Sequence, residues 1–294
     1  MEFKKKTLET QIIEIFQKIS PAITRLIQST MNNDKIVLNL GKTKSKNKNE
    51  ININPSILVN SVSDSDLEFK EVVIGTVIHE AIHSMEDYKF DIDKDLSKFQ
   101  NETDGLNDID EVLEVLSGPF GKYIFEILVH SFEEYKFVKD FKGLRSILQD
   151  IYEESSINIK NLKPFNKFLI LMFHSIAGYI EIDLQSYPKN IKESVRETLA
   201  ILNNFSYDRD LVEDTIEITI QIADICRRYN LLPDVDSQTL GERRESIEKF
   251  EDSVIDDLNK VLIPSSTNIT TGNTLEKFLG KKGKESDDEK LNFM

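Results

Sequence analysis

The chain has 294 residues, 39% hydrophobic and 30% charged, the mix of a globular protein long enough for one large domain or two modest ones. Acidic residues outnumber basic ones by 52 to 37, and the net charge of −15 repels nucleic-acid backbones and anionic membranes, so neither is expected as a partner. With one cysteine, Cys226, no apolar run near the roughly 20 residues of a membrane span and no signal-peptide core after Met1, the expectation is a cytoplasmic protein whose metals, if any, rest on imidazoles and carboxylates.

In chain order, Leu8, Ile12, Ile15, Phe16 and Ile19 recur at helical spacing; the pattern breaks at Pro21 and resumes with Ile23, Leu26 and Ile27. Lys35 to Leu40 reads as a strand, and Glu50 to Asn54 alternates with period two. Between them, the polar, basic stretch Gly41 to Asn49 predicts a β-hairpin with a long tip, solvated by its lysines. A Ser/Asp-rich connector with capping residues, Ser63 to Asp66, precedes a strong helix over about 67–88. Glycines and a proline around 105–107 and 117–119 flank a short helix near 111–116, and a longer one covers about 120–139. Everything after Gly143 reads helical: about 144–154, 165–180, 189–204, 210–229 and 237–262. From Pro264 onward the composition is that of a flexible tail. The division expected is a metal-binding unit over 1–140, a helical domain over 141–263 and a tail over 264–294. The acidic helical half is a candidate surface for a protein partner.

The chemistry concentrates in His79-Glu80-Ala81-Ile82-His83. On a helix, residues four apart stand one above the other, so both imidazoles face a shared point. Two neutral imidazoles at that spacing suit Zn²⁺ (zinc), and a glutamate beside the first can reach a water in an open coordination position. Gly75 and Thr76, one turn earlier, would admit a close neighbour; a glycine there costs about 1 kcal/mol of helix propensity relative to alanine, which points to a packing reason. A catalytic zinc site needs a third protein ligand. The helix 124–137 carries Phe125, Leu128, Val129, Phe132 and Tyr135 on one arc, and Glu126, His130, Glu133 and Phe137 on another. Glu133 is the first choice for the ligand, Glu134 the reserve and Glu126 the third.

Gly75-x-x-x-His79-Glu80-x-x-His83, followed by His130-x-x-Glu133-Glu134-x-Lys136, resembles the zincin-like, gluzincin-type metallopeptidase domains of cobalt-chelatase large-subunit-like proteins and related phage and bacterial proteins. Their second motif reads Asn-x-x-Glu-Asp-x-Arg; this chain has His130, Glu134 and Lys136 at the three variable places. The similarity covers about residues 34–140, and no von Willebrand-type Asp-x-Ser-x-Ser pattern follows, although many of those proteins carry such a domain. The resemblance implies His79, His83 and Glu133 as metal ligands and Glu80 as general base.

In the very apolar stretch 168–176, His174 reads as a core residue; either it or His130 is a candidate donor to a transition-state oxyanion. Glu86 and Asp87 stand a turn after His83 as candidates to orient it. The expectation is therefore an α+β, predominantly α protein: a zincin-like core with a small hairpin packed on the motif helix, then a helical second half. Its expected activity is zinc-dependent hydrolysis of a peptide or protein substrate, with an inactive zincin-scaffold binding or assembly module as the alternative.

Overall fold

The computed structural model describes residues 7–30, 32–41, 49–63, 67–83, 96–99, 103, 106, 108–203, 212–233 and 240–262. Helix α1 (Leu8–Thr30) runs through Pro21 without ending there. A proline inside a helix removes one hydrogen bond, but Ile12 and Phe16 before it and Ile23 and Ile27 after it are buried together, so the core holds both halves in line.

Strands β1 (Val37–Leu40) and β2 (Glu50–Ile53) pair in parallel, so the expected hairpin is corrected. A hairpin was the simplest reading of two nearby strands, yet the stretch between Leu40 and Glu50 is long enough to carry the chain back along a four-residue strand. The parallel register sets Leu38 beside Ile51 and Leu40 beside Ile53. Leu38, Ile51 and Ile53 are thereby buried, and β2 lies against the motif helix. The tip residues 42–48, like Glu86, Asp87 and the tail, lie outside the described residues.

Helix α2 (Pro55–Ser63) had no counterpart in the sequence reading, although a proline at its first position is a helix-start signal. Helix α3 (Phe69–Ile82) carries the motif and buries every residue from Gly75 to Ile82, as a helix apolar nearly all round must. His83 follows at its C-cap, still in helical conformation. Helix α4 (Ile109–Ser117) starts at Asp108, whose side chain accepts from the backbone N–H groups of Asp110 and Glu111 at 2.9 and 3.2 Å.

Five of the remaining helices complete the body: α5 (Gly121–Asp140), α6 (Arg145–Ser156), α7 (Pro164–Ala177), α8 (Lys189–Leu202) and α9 (Val212–Arg228), with α10 (Leu240–Val261) last. Pro164 opens α7, and Gly178 closes it at φ 73°, a left-handed position that glycine takes without strain. Asn166 ties α7 to α10, donating to the Ser253 carbonyl at 3.1 Å and to Asp257 at 2.7 Å. Helices α3 and α5 lie at the centre: α3 packs on α1, α2, α5, α6 and β2, and α5 packs on α4, α7 and α9. One continuous hydrophobic core joins residues from Ile12 to Val261.

Gly75 has its packing reason here. A Cβ at that position would collide with Ile151 of α6, so the glycine lets α6 lie directly on the motif helix. Gly75→Val is expected to destabilise the protein by roughly 1–3 kcal/mol through overpacking. In urea denaturation, adding Ile151→Ala should recover part of that loss; strictly additive losses would contradict this contact.

Candidate metal centre

Helices α3 and α5 bring four donors to one point. His79 and His83 project from α3, His130 and Glu134 from α5, and one ligand atom of each lies within 4.8 Å of all the others. The Nε2 of His79 is 3.3 Å from the Nε2 of His83, 3.3 Å from that of His130 and 3.1 Å from Oε1 of Glu134. The Nε2 of His130 is 2.9 Å from the same oxygen. All four side chains are buried, none more than 4% exposed.

These distances have a simple meaning. Donors about 2.0–2.1 Å from a tetrahedral ion stand about 3.3–3.4 Å apart. Hydrogen bonds alone cannot satisfy every contact in the cluster at once, because an imidazole nitrogen carries either one proton or one lone pair. The Nε2 of His79 meets three polar atoms at contact distance and can serve only one of them. The group can hold a metal ion, and a cation at the shared point serves all four donors together.

Glu133 is not among the four; it sits behind His83. The Nδ1–H of His83 donates to Glu133 Oε2 at 2.6 Å, which leaves Nε2 aimed inward as a donor to a cation. The two neighbouring glutamates thus point to opposite sides of one imidazole pair, as 100° of helix rotation allows. Glu126, one turn before His130, joins neither group. Burial holds its carboxyl well above the ordinary carboxylate range, and neither oxygen has a hydrogen-bond partner among the described residues. His174 is also apart from the four, packed edge-on against Tyr152 at 5.4 Å between ring centres. Glu80 is fully buried, and its charge acts on His83.

The charges divide accordingly. Burial lowers His79 and His130, the latter to about 4, so both favour the neutral, metal-binding form. Burial works to lower His83 as well, but the Glu133 hydrogen bond and charge outweigh it and raise this imidazole. For Glu134, burial would raise the carboxyl, yet hydrogen bonds from His130 and His79 hold it well below the usual carboxylate range.

Sequence reasoning missed Tyr152 of α6, whose hydroxyl donates to Glu134 Oε1 at 2.8 Å. Nothing in the sequence marks a tyrosine 18 positions downstream of a glutamate as its partner. Comparison with protein families, with characterised proteins and with solved structures returned no match, so only the residue cluster on a mostly helical fold stands behind the motif resemblance.

The buried histidines give stability a pH signature. Burial holds His174 at about 4, against 6.5 for an open chain. Between those values the unfolded chain takes up the proton and the folded chain does not, so this residue's contribution is lost as pH falls through the window. Glu126 acts in the opposite sense, because the folded chain keeps a proton that the unfolded chain releases. Comparing the parent with His174→Leu isolates the histidine: the urea midpoint of the parent should fall more steeply from pH 6.5 to 4. Equal slopes would show that His174 is not held neutral by burial.

Proposed function

We propose that the chain is a zinc-dependent hydrolase of amide bonds on a zincin-like core, with His79, His83, His130 and Glu134 holding the metal and Glu80 as general base. One observation carries this reading: three imidazole nitrogens and a carboxylate oxygen converge within 4.8 Å of one another, with His79 Nε2 at 3.1–3.3 Å from the other three, beside a buried glutamate of the motif helix. Three nitrogens and one oxygen suit zinc better than calcium or magnesium, which take all-oxygen sites.

Bound there, zinc supplies Lewis acidity, lowering the pKa of a coordinated water and polarising a scissile carbonyl. Glu80 takes the water's proton and passes it to the leaving amine. Glu133 keeps His83 in the tautomer and orientation that binding needs. His79, His83, His130 and Glu134 would hold the ion together, with His130 in the place that a three-ligand catalytic site leaves to water, so hydrolysis would require the site to admit a water beside four protein ligands. A peptide or protein substrate fits this chemistry, and the acidic chain disfavours a nucleic acid.

A second reading rests on the same four donors. A site whose four vertices are all protein and all buried matches a closed, structural metal centre, in a chain that serves as a binding or assembly module.

Metal analysis of purified protein should find about one zinc per chain, lost in Glu134→Ala and weakened by roughly 10–100-fold in Glu133→Ala. Loss of zinc in Glu133→Ala alone would reverse the two assignments. In a proteome-derived peptide library, the parent should create new termini that a chelator suppresses, and Glu80→Gln should create none while keeping its zinc. If the zinc-loaded parent cuts nothing and chelation lowers its melting temperature, the closed structural centre is the correct reading.

A further inference from the structure

We propose that Tyr152 is a positioning residue of the metal centre: it fixes the Glu134 carboxylate and so makes the helical second half part of the site. The proposal rests on the reading of the four-donor cluster as a metal centre. The fully buried Tyr152 hydroxyl donates at 2.8 Å to Oε1 of Glu134, the same oxygen that lies 2.9 Å from His130 Nε2 and 3.1 Å from His79 Nε2. A carboxylate oxygen has two lone pairs. The phenol takes one, and the other serves the point that the imidazoles face. Without the phenol, the glutamate side chain can turn Oε1 away, because among the described residues the other hydrogen-bonding contacts of that atom are the two imidazoles it would share with the metal.

The ring that carries the hydroxyl is itself immobilised. Tyr152 stacks on Tyr179 at 4.9 Å between centres, packs on Phe173 at 5.2 Å and meets the edge of His174 at 5.4 Å. Phe173 also packs on the His130 ring at 5.2 Å, so the same aromatic layer touches two members of the cluster. Three of these four rings belong to α7 or to the turn after it, and Tyr152 to α6. Donor geometry at Glu134 therefore depends on how α6 and α7 dock, far along the chain from the motif helix. Tyr179 offers a graded comparison: it is equally buried and stands near the same carboxylate, whose charge acts on it, but its hydroxyl makes no hydrogen bond of good geometry among the described residues.

The test uses the full chain and cobalt(II), which takes zinc sites and reports its coordination in visible absorption. Affinity is read by competition with a chelator for the parent, Tyr152→Phe and Tyr179→Phe. Tyr152→Phe is expected to bind cobalt roughly 10–100-fold more weakly and to shift the absorption bands of the bound ion. Tyr179→Phe, which removes a hydroxyl near Glu134 but no well-formed hydrogen bond, should lose clearly less affinity than Tyr152→Phe. Parental affinity and bands in Tyr152→Phe, or equal losses in both variants, would overturn the positioning role. A parent that binds no cobalt would instead remove the metal centre itself, and the proposal with it.

Discussion

The structure depends on one demand: carboxylates and imidazoles from two helices have been taken out of water into the centre of a helical core. Removing charge from water costs several kcal/mol per ion unless partners replace the lost solvent. Here two of the carboxylates have specific partners. Glu133 is held by His83, and Glu134 by His79, His130 and Tyr152. What these contacts leave over is a set of inward-facing donors that can hold a metal ion.

Three glutamates on one helix show how local the outcome is. Glu126 and Glu134 are both buried on α5, two turns apart. Glu134 faces two imidazoles and stays charged; Glu126 has no such partner, and burial drives its carboxyl to the neutral form. Glu133 lies between them in sequence and serves as a brace for His83. The residue type is constant, and the environment decides whether it joins the donor cluster, braces an imidazole or is neutralised.

The same demand shapes the packing around the centre. A motif helix that must be buried on every side needs neighbours on every side, and β2, α1, α2, α5 and α6 supply them. Gly75 leaves room for Ile151 of α6, the helix that also carries Tyr152 to Glu134. The aromatic rings of α7 then seal the layer against His130. The two halves of the sequence thus meet at the chemistry, within one core.

By itself, the sequence determined most of the helical spans, because apolar periodicity is a local signal, but it missed α2 and carried α7 past the left-handed Gly178 that closes it. It also determined that His79 and His83 share a face with Glu80 beside them, since four residues on a helix is a geometric identity. Only the tertiary structure decided which glutamate of the pair 133–134 turns to the cluster, because neighbouring residues differ by 100° and the docking angle of α5 on α3 selects between them. The same holds for the entry of His130 into the donor set and for the parallel pairing of β1 and β2, which follows from where Leu38, Ile51 and Ile53 find the core. Tyr152 was illegible for the most basic reason: a contact across two helices leaves no periodicity in either.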